Sequence, residues 1–274
     1  MKGTNHEWMA KESCNTVGVD GNDDDIIERE VTEPDSPSVT FDVPNWVVHD
    51  QDIEDGLEKG IEGLMRYVGH YYNADPFFGT YYCGHNNDPH TADFDGLGGA
   101  PEAAQWHFDK AEEKSGDERA KYVGRTLHYT QDMANPLHTG MGWEQVNLEV
   151  TYNDGSTDYS INPMDWLHKG YEEYIKDRWD SDREEFSTHY GPNECDGCYG
   201  YHEYNSAETE VSELANYTGT YSEEVFHRID DEGTRNWREW SDSTRKKLKN
   251  ITQNCLHECG LKDRGLLHRY YDDD

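Results

Sequence analysis

His128 and Asp132, and again His168 and Glu172, stand four residues apart. On a helix each pair projects from one face, so the spacing demands two helices that turn these faces toward each other before the four side chains can act together. A further nitrogen, His138, follows just beyond Pro136, which stops the first of these helices. Imidazole and carboxylate donors in this mixture suit zinc. Composition alone would place an acidic residue at i+4 and a histidine at i+10 of some histidine in roughly one such sequence in seven, so the spacing needs support from the residues around it.

The apolar periodicity predicts an all-α chain, a single mostly helical domain over residues 1–274 with long loops. A short helix is expected from His6 to Cys14, followed by a long acidic surface loop at 15–45, rich in Gly, Asp and Pro. Ile53, Leu57, Ile61, Leu64, Met65 and Val68 form one apolar face of a helix over 51–72. Asn73, Asp75-Pro76, Gly79, Gly84, Asp88-Pro89 and Gly96 to Gly99 make 73–100 a loop, closed by Pro101 at a first helical position. Helices are then expected at 101–115 and 118–134, the second capped by Asp117 and stopped by Asn135-Pro136. Residues 139–162 alternate Val, Tyr and Ile among Gly, Asn and Asp and allow a small hairpin. A helix at 163–187, a loop at 189–205 and helices at 206–217, 221–248 and 251–260 complete the chain.

A hydrophobic fraction of 33% and a formal charge of −34 lean toward disorder. Eight Trp, 19 Tyr and 7 Phe oppose it, because each buries a large area and keeps a compact core within reach. The 58 Asp and Glu are spread along the whole chain against 24 Lys and Arg, as in proteins of salt-loving organisms. At 1 M salt the Debye length falls to about 3 Å and mutes the self-repulsion of such a surface. At low salt the surface repels polyanions, so no stable nucleic-acid partner is expected. No apolar run approaches the roughly 18 residues of a membrane span, and residues 1–30 hold no leader-type apolar core. The expectation is a secreted protein whose leader is absent from this chain, with the cytoplasm of a halophile as the alternative. Six cysteines, an even number, favour the oxidising compartment. Cys195-x-x-Cys198 and Cys255-x-x-x-Cys259 fit a four-thiolate zinc site only loosely, and disulfides are expected instead; Cys14 and Cys83 would make the third pair, with the connectivity open.

The string Leu127-His128-Tyr129-Thr130-Gln131-Asp132-Met133-Ala134-Asn135-Pro136-Leu137-His138 resembles the His-Tyr-x-x-Asp-x-x-x-Pro-x-His signature of the zinc-dependent phospholipase C family, a superfamily shared with fungal single-strand-specific zinc nucleases. His168-Lys169-Gly170-Tyr171-Glu172 resembles that family's second His-x-x-x-acid motif. His85-Asn86-Asn87-Asp88-Pro89 is similar to its His-x-x-Asp-Pro, Asp75 precedes it in an Ala-Asp context, and Gly3-Thr4-Asn5-His6 is similar to its N-terminal histidine segment. The resemblance touches most of residues 1–175 in the family's order, while 176–274 supplies only compatible helices.

What the resemblance implies is a centre of two or three zinc ions. Asp75, His85, His128 and Asp132 would hold one; His138, His168 and Glu172 a second; and Asp132 would bridge to a third held by His6 and the terminal amine and carbonyl of Met1. It further implies metal-activated hydrolysis of a phospholipid headgroup ester or another phosphodiester, with transient contact at a membrane surface. Asp75 would orient or deprotonate the nucleophile, or serve purely as a ligand. Glu172 and the His85 string look more like phospholipases, and the spacing from the terminus to His6 more like nucleases; a non-catalytic metal-binding halophilic domain is the remaining alternative. Trp46, Tyr71, Tyr72, Phe77, Phe78, Tyr81 and Tyr82 flank the proposed site and are assigned to core packing ahead of an aromatic wall for a cationic headgroup. His49, His70, His90 and His107 match no motif and are assigned structural roles, with His70 and His90 as reserve ligands.

Overall fold

A computed structural model of the chain describes residues 3–35, 72, 100–140, 148–153, 156–161, 165–179, 186–191 and 200–271. In chain order the elements are helices α1 (Gly3–Val17), α2 (Gly21–Glu30), α3 (Ala100–Glu113) and α4 (Asp117–Asp132), strands β1 (Leu148–Asn153) and β2 (Ser156–Ile161), and helices α5 (Asp165–Arg178), α6 (Ser187–Tyr190), α7 (Ala207–Gly219), α8 (Ser222–Glu232) and α9 (Asp242–Tyr271). Short 3₁₀ turns lie at Glu33–Asp35, Pro136–His138 and Trp237–Glu239. The fold is all-α, as the periodicity predicts. Its one described hairpin pairs β1 with β2 antiparallel, from Leu148 opposite Ile161 to Asn153 opposite Ser156, within the segment where a hairpin is allowed by sequence. No described helix is long and apolar enough to cross a membrane.

Helix α4 is the element around which the others pack. Asp117 and Glu118 put two carboxylates in its first turn, where they complement the helix dipole. Nearly every side chain from Ala120 to Asp132 is buried, with α1, α2, α3, α7 and α9 all lying against it. At Gly124 the approach of α2 is so close that an added Cβ would stand 2.9 Å from the Ile27 carbonyl oxygen. One residue on, Arg125 donates two hydrogen bonds to Glu30, an ion pair about nine-tenths buried on both sides. A similar approach at Gly260 of α9 admits the Tyr190 carbonyl, which accepts a 2.7 Å bond from Arg264 Nη1.

Several sequence expectations are corrected. The acidic stretch 15–45 is not a loop throughout: 21–30 forms α2, whose Ile26 and Ile27 are buried and whose first turn carries Asp23 and Asp24. Asp117 is the first helical residue of α4 and not its cap, which is Gly116 at φ 55°. The helix expected over 163–187 ends at Arg178. In the C-terminal part the break lies elsewhere than 248–251: Gly233, at φ 62°, ends α8, and α9 then runs for 30 residues because no Pro interrupts 242–271. The disulfide expectation fails for every described cysteine. Cys14, Cys255 and Cys259 are free thiols buried in the core, where burial pushes each thiol pKa up and each side chain packs as a small apolar group. Cys83, Cys195 and Cys198 lie outside the described residues. So does the helix expected over 51–72, except Tyr72, whose backbone forms a parallel bridge with Thr139.

Candidate metal centre

The end of α4 and the turn after it place the first donors. His128 and Asp132 lie one helical turn apart, with His128 Nε2 3.1 Å from Asp132 Oδ2. Helix α4 then stops at Met133, and the Asn135 side chain accepts from Leu137 N at 3.0 Å while Pro136 opens the 3₁₀ turn that presents His138. The turn is held from outside as well: Tyr72 N donates to the His138 carbonyl at 3.1 Å, and Thr218 Oγ1 donates to the Met133 carbonyl at 2.7 Å.

Asp132 Oδ1 stands 3.4 Å from two further nitrogens, His6 Nε2 of α1 and His138 Nδ1. The other face of the His138 ring looks toward α5. His138 Nε2 is 2.7 Å from His168 Nε2 and 3.8 Å from Glu172 Oε1, and His168 Nε2 is 3.1 Å from that same oxygen. Two groups of three donors result, His6 with His128 and Asp132, and His138 with His168 and Glu172; within each, the ligand atoms lie within 4.8 Å of one another. The groups adjoin, because the His138 ring and the Asp132 carboxylate face each other.

All six side chains are buried. Burial, followed by the neighbouring His128, lowers the His6 pKa, and burial brings His138 down to about 3. Burial alone would push both carboxyls up, yet the positive charge and hydrogen-bonding groups around them hold Asp132 and Glu172 well below the usual carboxylate range. At neutral pH the centre therefore combines ionised carboxylates with neutral imidazoles at His6 and His138, the protonation state in which these groups bind a cation. His6 Nε2 is fully buried and has no hydrogen-bond partner, which fits a lone pair reserved for an ion better than a side chain packed for stability. His128 is oriented from behind: its Nδ1 donates to the Val31 carbonyl at 2.7 Å, which turns Nε2 toward Asp132.

These two groups can hold metal ions. Of the expected site residues, His6, His128, Asp132, His138, His168 and Glu172 come together here, whereas Met1, Asp75 and His85 lie outside the described residues, as do His49, His70 and His90. Sequence reasoning passed over Val31 and Gln131, which hold the rings of His128 and His6. A backbone acceptor carries no sequence signal; Gln131, however, sits inside the motif beside Asp132.

His107, assigned a structural role, is fully buried on α3, stacked on Tyr129 with ring centroids 5.7 Å apart, and neither ring nitrogen has a hydrogen-bond partner. Burial, then Arg125, holds its pKa well below the ordinary value, so the ring is neutral. His107→Phe should keep metal content and activity, and removing two unsatisfied polar atoms should leave stability unchanged or raise it by about 1 kcal/mol. Denaturant unfolding with metal analysis checks this; loss of an ion would show that His107 belongs to the centre.

Comparison of the chain with known protein families and with curated proteins matched it to none, which leaves the two adjoining donor groups as the basis for any functional reading.

Proposed function

We propose that this chain is a zinc-dependent phosphodiesterase of the phospholipase C type, acting on a phospholipid headgroup ester or a related phosphodiester. The observation that carries the reading is the pair of buried, adjoining donor groups, each with two imidazoles and one carboxylate, presented by α1, α4, α5 and the turn after α4. Three protein donors of N and O type per ion are the pattern of catalytic zinc, which keeps a further position for water or substrate, whereas structural zinc is closed by four. Both i, i+4 pairs and the turn histidine come from segments that resemble the phospholipase C signature.

Zinc in such a centre would make water a nucleophile at neutral pH and neutralise charge on the phosphate. The chain's own residues prepare for that. Asp132 and Glu172 are ionised and bring two negative charges into the core, which would repel a phosphodiester; two divalent cations reverse the sign of the centre and make it attractive. Val31 fixes the His128 ring so that Nε2 is available, and Asn135 with Pro136 fixes the turn that aims His138 at both groups. The role that the resemblance implies for Asp75, orienting or deprotonating the nucleophile, belongs to the same proposal. A membrane surface would be met only transiently, since the strongly acidic chain repels anionic lipid at low salt.

The test is elemental analysis of protein purified without chelators, joined to hydrolysis assays on phosphatidylcholine micelles and on single-stranded DNA, before and after chelation. At least about two zinc per chain and zinc-dependent release of the phosphorylated headgroup are expected. Cleavage of DNA alone would move the chain to the zinc nucleases. Zinc without hydrolysis would make it a metal-binding domain, and less than one zinc, with no gain on adding zinc, would overturn the reading.

A further inference from the structure

From the ring nitrogen of His6 that does not face Asp132, a line of buried polar side chains runs through four helices. His6 Nδ1 stands 2.9 Å from Gln131 Oε1, and Gln131 Nε2 donates to Asp263 Oδ2 at 2.9 Å. The same carboxylate oxygen accepts from Tyr190 Oη, which in turn stands 2.8 Å from Ser13 Oγ. All five side chains are fully buried. Because Tyr190 spends its proton on Asp263, Ser13 must donate to Tyr190, and Ser13 lies on α1 with His6, so the line closes on the helix where it began.

We propose that Gln131 and Asp263 are positioning residues for the cation held by His6, His128 and Asp132, with the Asp263 carboxylate fixing the Gln131 carboxamide and, through it, the tautomer of His6. The inference rests on the reading that this group binds a cation. Its logic is one of donors and acceptors. Burial raises the Asp263 pKa to about 7; above that pH the ionised carboxylate only accepts, so Gln131 must turn its NH2 toward Asp263 and its carbonyl toward His6. A carbonyl also only accepts, so His6 Nδ1 must carry the ring proton, and the Nε2 lone pair then faces Asp132 and His128. Reversing the amide would set its carbonyl against the carboxylate and its NH2 against His6 Nδ1. The proton would then sit on Nε2, the nitrogen 3.4 Å from Asp132, which could not bind a cation. For a ligand histidine, a hydrogen bond behind the ring that fixes tautomer and orientation is the usual support. His128 obtains it from the Val31 carbonyl. His6 obtains it through a carboxamide whose direction is set by a charge on α9.

A second observation separates this role from mere core packing. Asp263 Oδ1 is buried and has no hydrogen-bond partner, so the carboxylate is a poor choice for stability alone. A negative charge there is what keeps the amide from turning.

Gln131→Met keeps the length of the side chain and cuts the line in the middle; Asp263→Asn removes the charge and turns one of the two acceptor oxygens into an NH2 donor. Zinc binding by competition with a chelator should show one ion bound 10–100-fold more weakly in Gln131→Met, the scale for losing such a supporting contact, while the ion at His138, His168 and Glu172 keeps its affinity. In chelated, 15N-labelled protein held above the Asp263 pKa of about 7, long-range proton–nitrogen spectra should place the His6 proton on Nδ1 in the parent chain and show mixed tautomers in both variants. If a folded Gln131→Met retains the single tautomer and both affinities, the proposal is overturned. Should Gln131→Met fail to fold, Asp263→Asn decides by the same two measurements. Should the parent chain bind less than one zinc, the metal reading fails by itself, and the tautomer in chelated protein still decides whether Asp263 directs His6.

Discussion

Asp132→Asn should cost the protein the ion at His6 and His128 and at least about 100-fold in hydrolysis, the scale of removing one preorganised electrostatic element from a catalytic centre. The carboxylate faces three imidazoles at once, with Oδ2 3.1 Å from His128 and Oδ1 3.4 Å from both His6 and His138. Asparagine keeps the shape but replaces one oxygen by an NH2 that has no lone pair to give, so at least one of these approaches becomes a donor set against a ligand nitrogen. The loss of negative charge also weakens the pull on any cation shared across the two groups. His168→Ala should differ in kind: it removes a donor from the second group and leaves His6, His128 and Asp132 together. Zinc per chain and hydrolysis of phosphatidylcholine, with circular dichroism to confirm the helical fold, distinguish these outcomes. An Asp132→Asn protein with the parent's zinc content and rate would mean that the six residues form only an internal ion-pair cluster, and the proposed centre would fall.

What could be read from the sequence was whatever local pattern encodes. The i, i+4 pairs, the Asn135-Pro136 stop and the apolar faces of α3 and α4 each reside within a few residues, and the donors they carry meet in the structure. Helix α2 was illegible because its sequence, Gly-Asn-Asp-Asp-Asp-Ile-Ile-Glu-Arg-Glu, has only two apolar residues and a loop-like start. It is helical because tertiary packing on α4 supplies the stability, through the close approach at Gly124 and the Glu30 to Arg125 pair. That packing also delivers the Val31 carbonyl to His128. The role of α9 was hidden for a different reason. Gln131 and Asp263 are 132 positions apart, and Asp263 is one of 58 acidic residues with nothing local to mark it as the buried one. The break expected between 248 and 251 has no breaker behind it: none of the residues there stops a helix, and α9 runs through.

Removing the ions should destabilise the fold far more than any single substitution, and acid should deepen the effect. An ion at 1,000 times its dissociation constant adds about 4 kcal/mol to folding, so two would add about 8 kcal/mol. At roughly 2–4 °C per kcal/mol for a chain of this size, chelation should lower the unfolding midpoint by about 15–30 °C. The pH dependence of the chelated protein follows from the buried histidines. His6 and His138 have folded-state pKa values below the ordinary one, His138 at about 3. A group lowered in this way contributes its stability above the unfolded value of about 6.5 and loses it as pH falls toward the folded value, because the unfolded chain takes up protons that the folded one refuses. Between pH 7 and pH 5 His138 alone should cost about 2 kcal/mol. Asp132 and Glu172, also lowered, add to the loss only below about pH 4. Thermal unfolding of chelated protein in high salt, where surface repulsion is screened, should therefore show a midpoint that drops from pH 7 to pH 5, and zinc should restore most of it at pH 7 but less at pH 5, where protons compete for the same nitrogens. A midpoint indifferent to both chelator and pH over this range would mean that His6 and His138 are neither held neutral by burial nor joined by a metal.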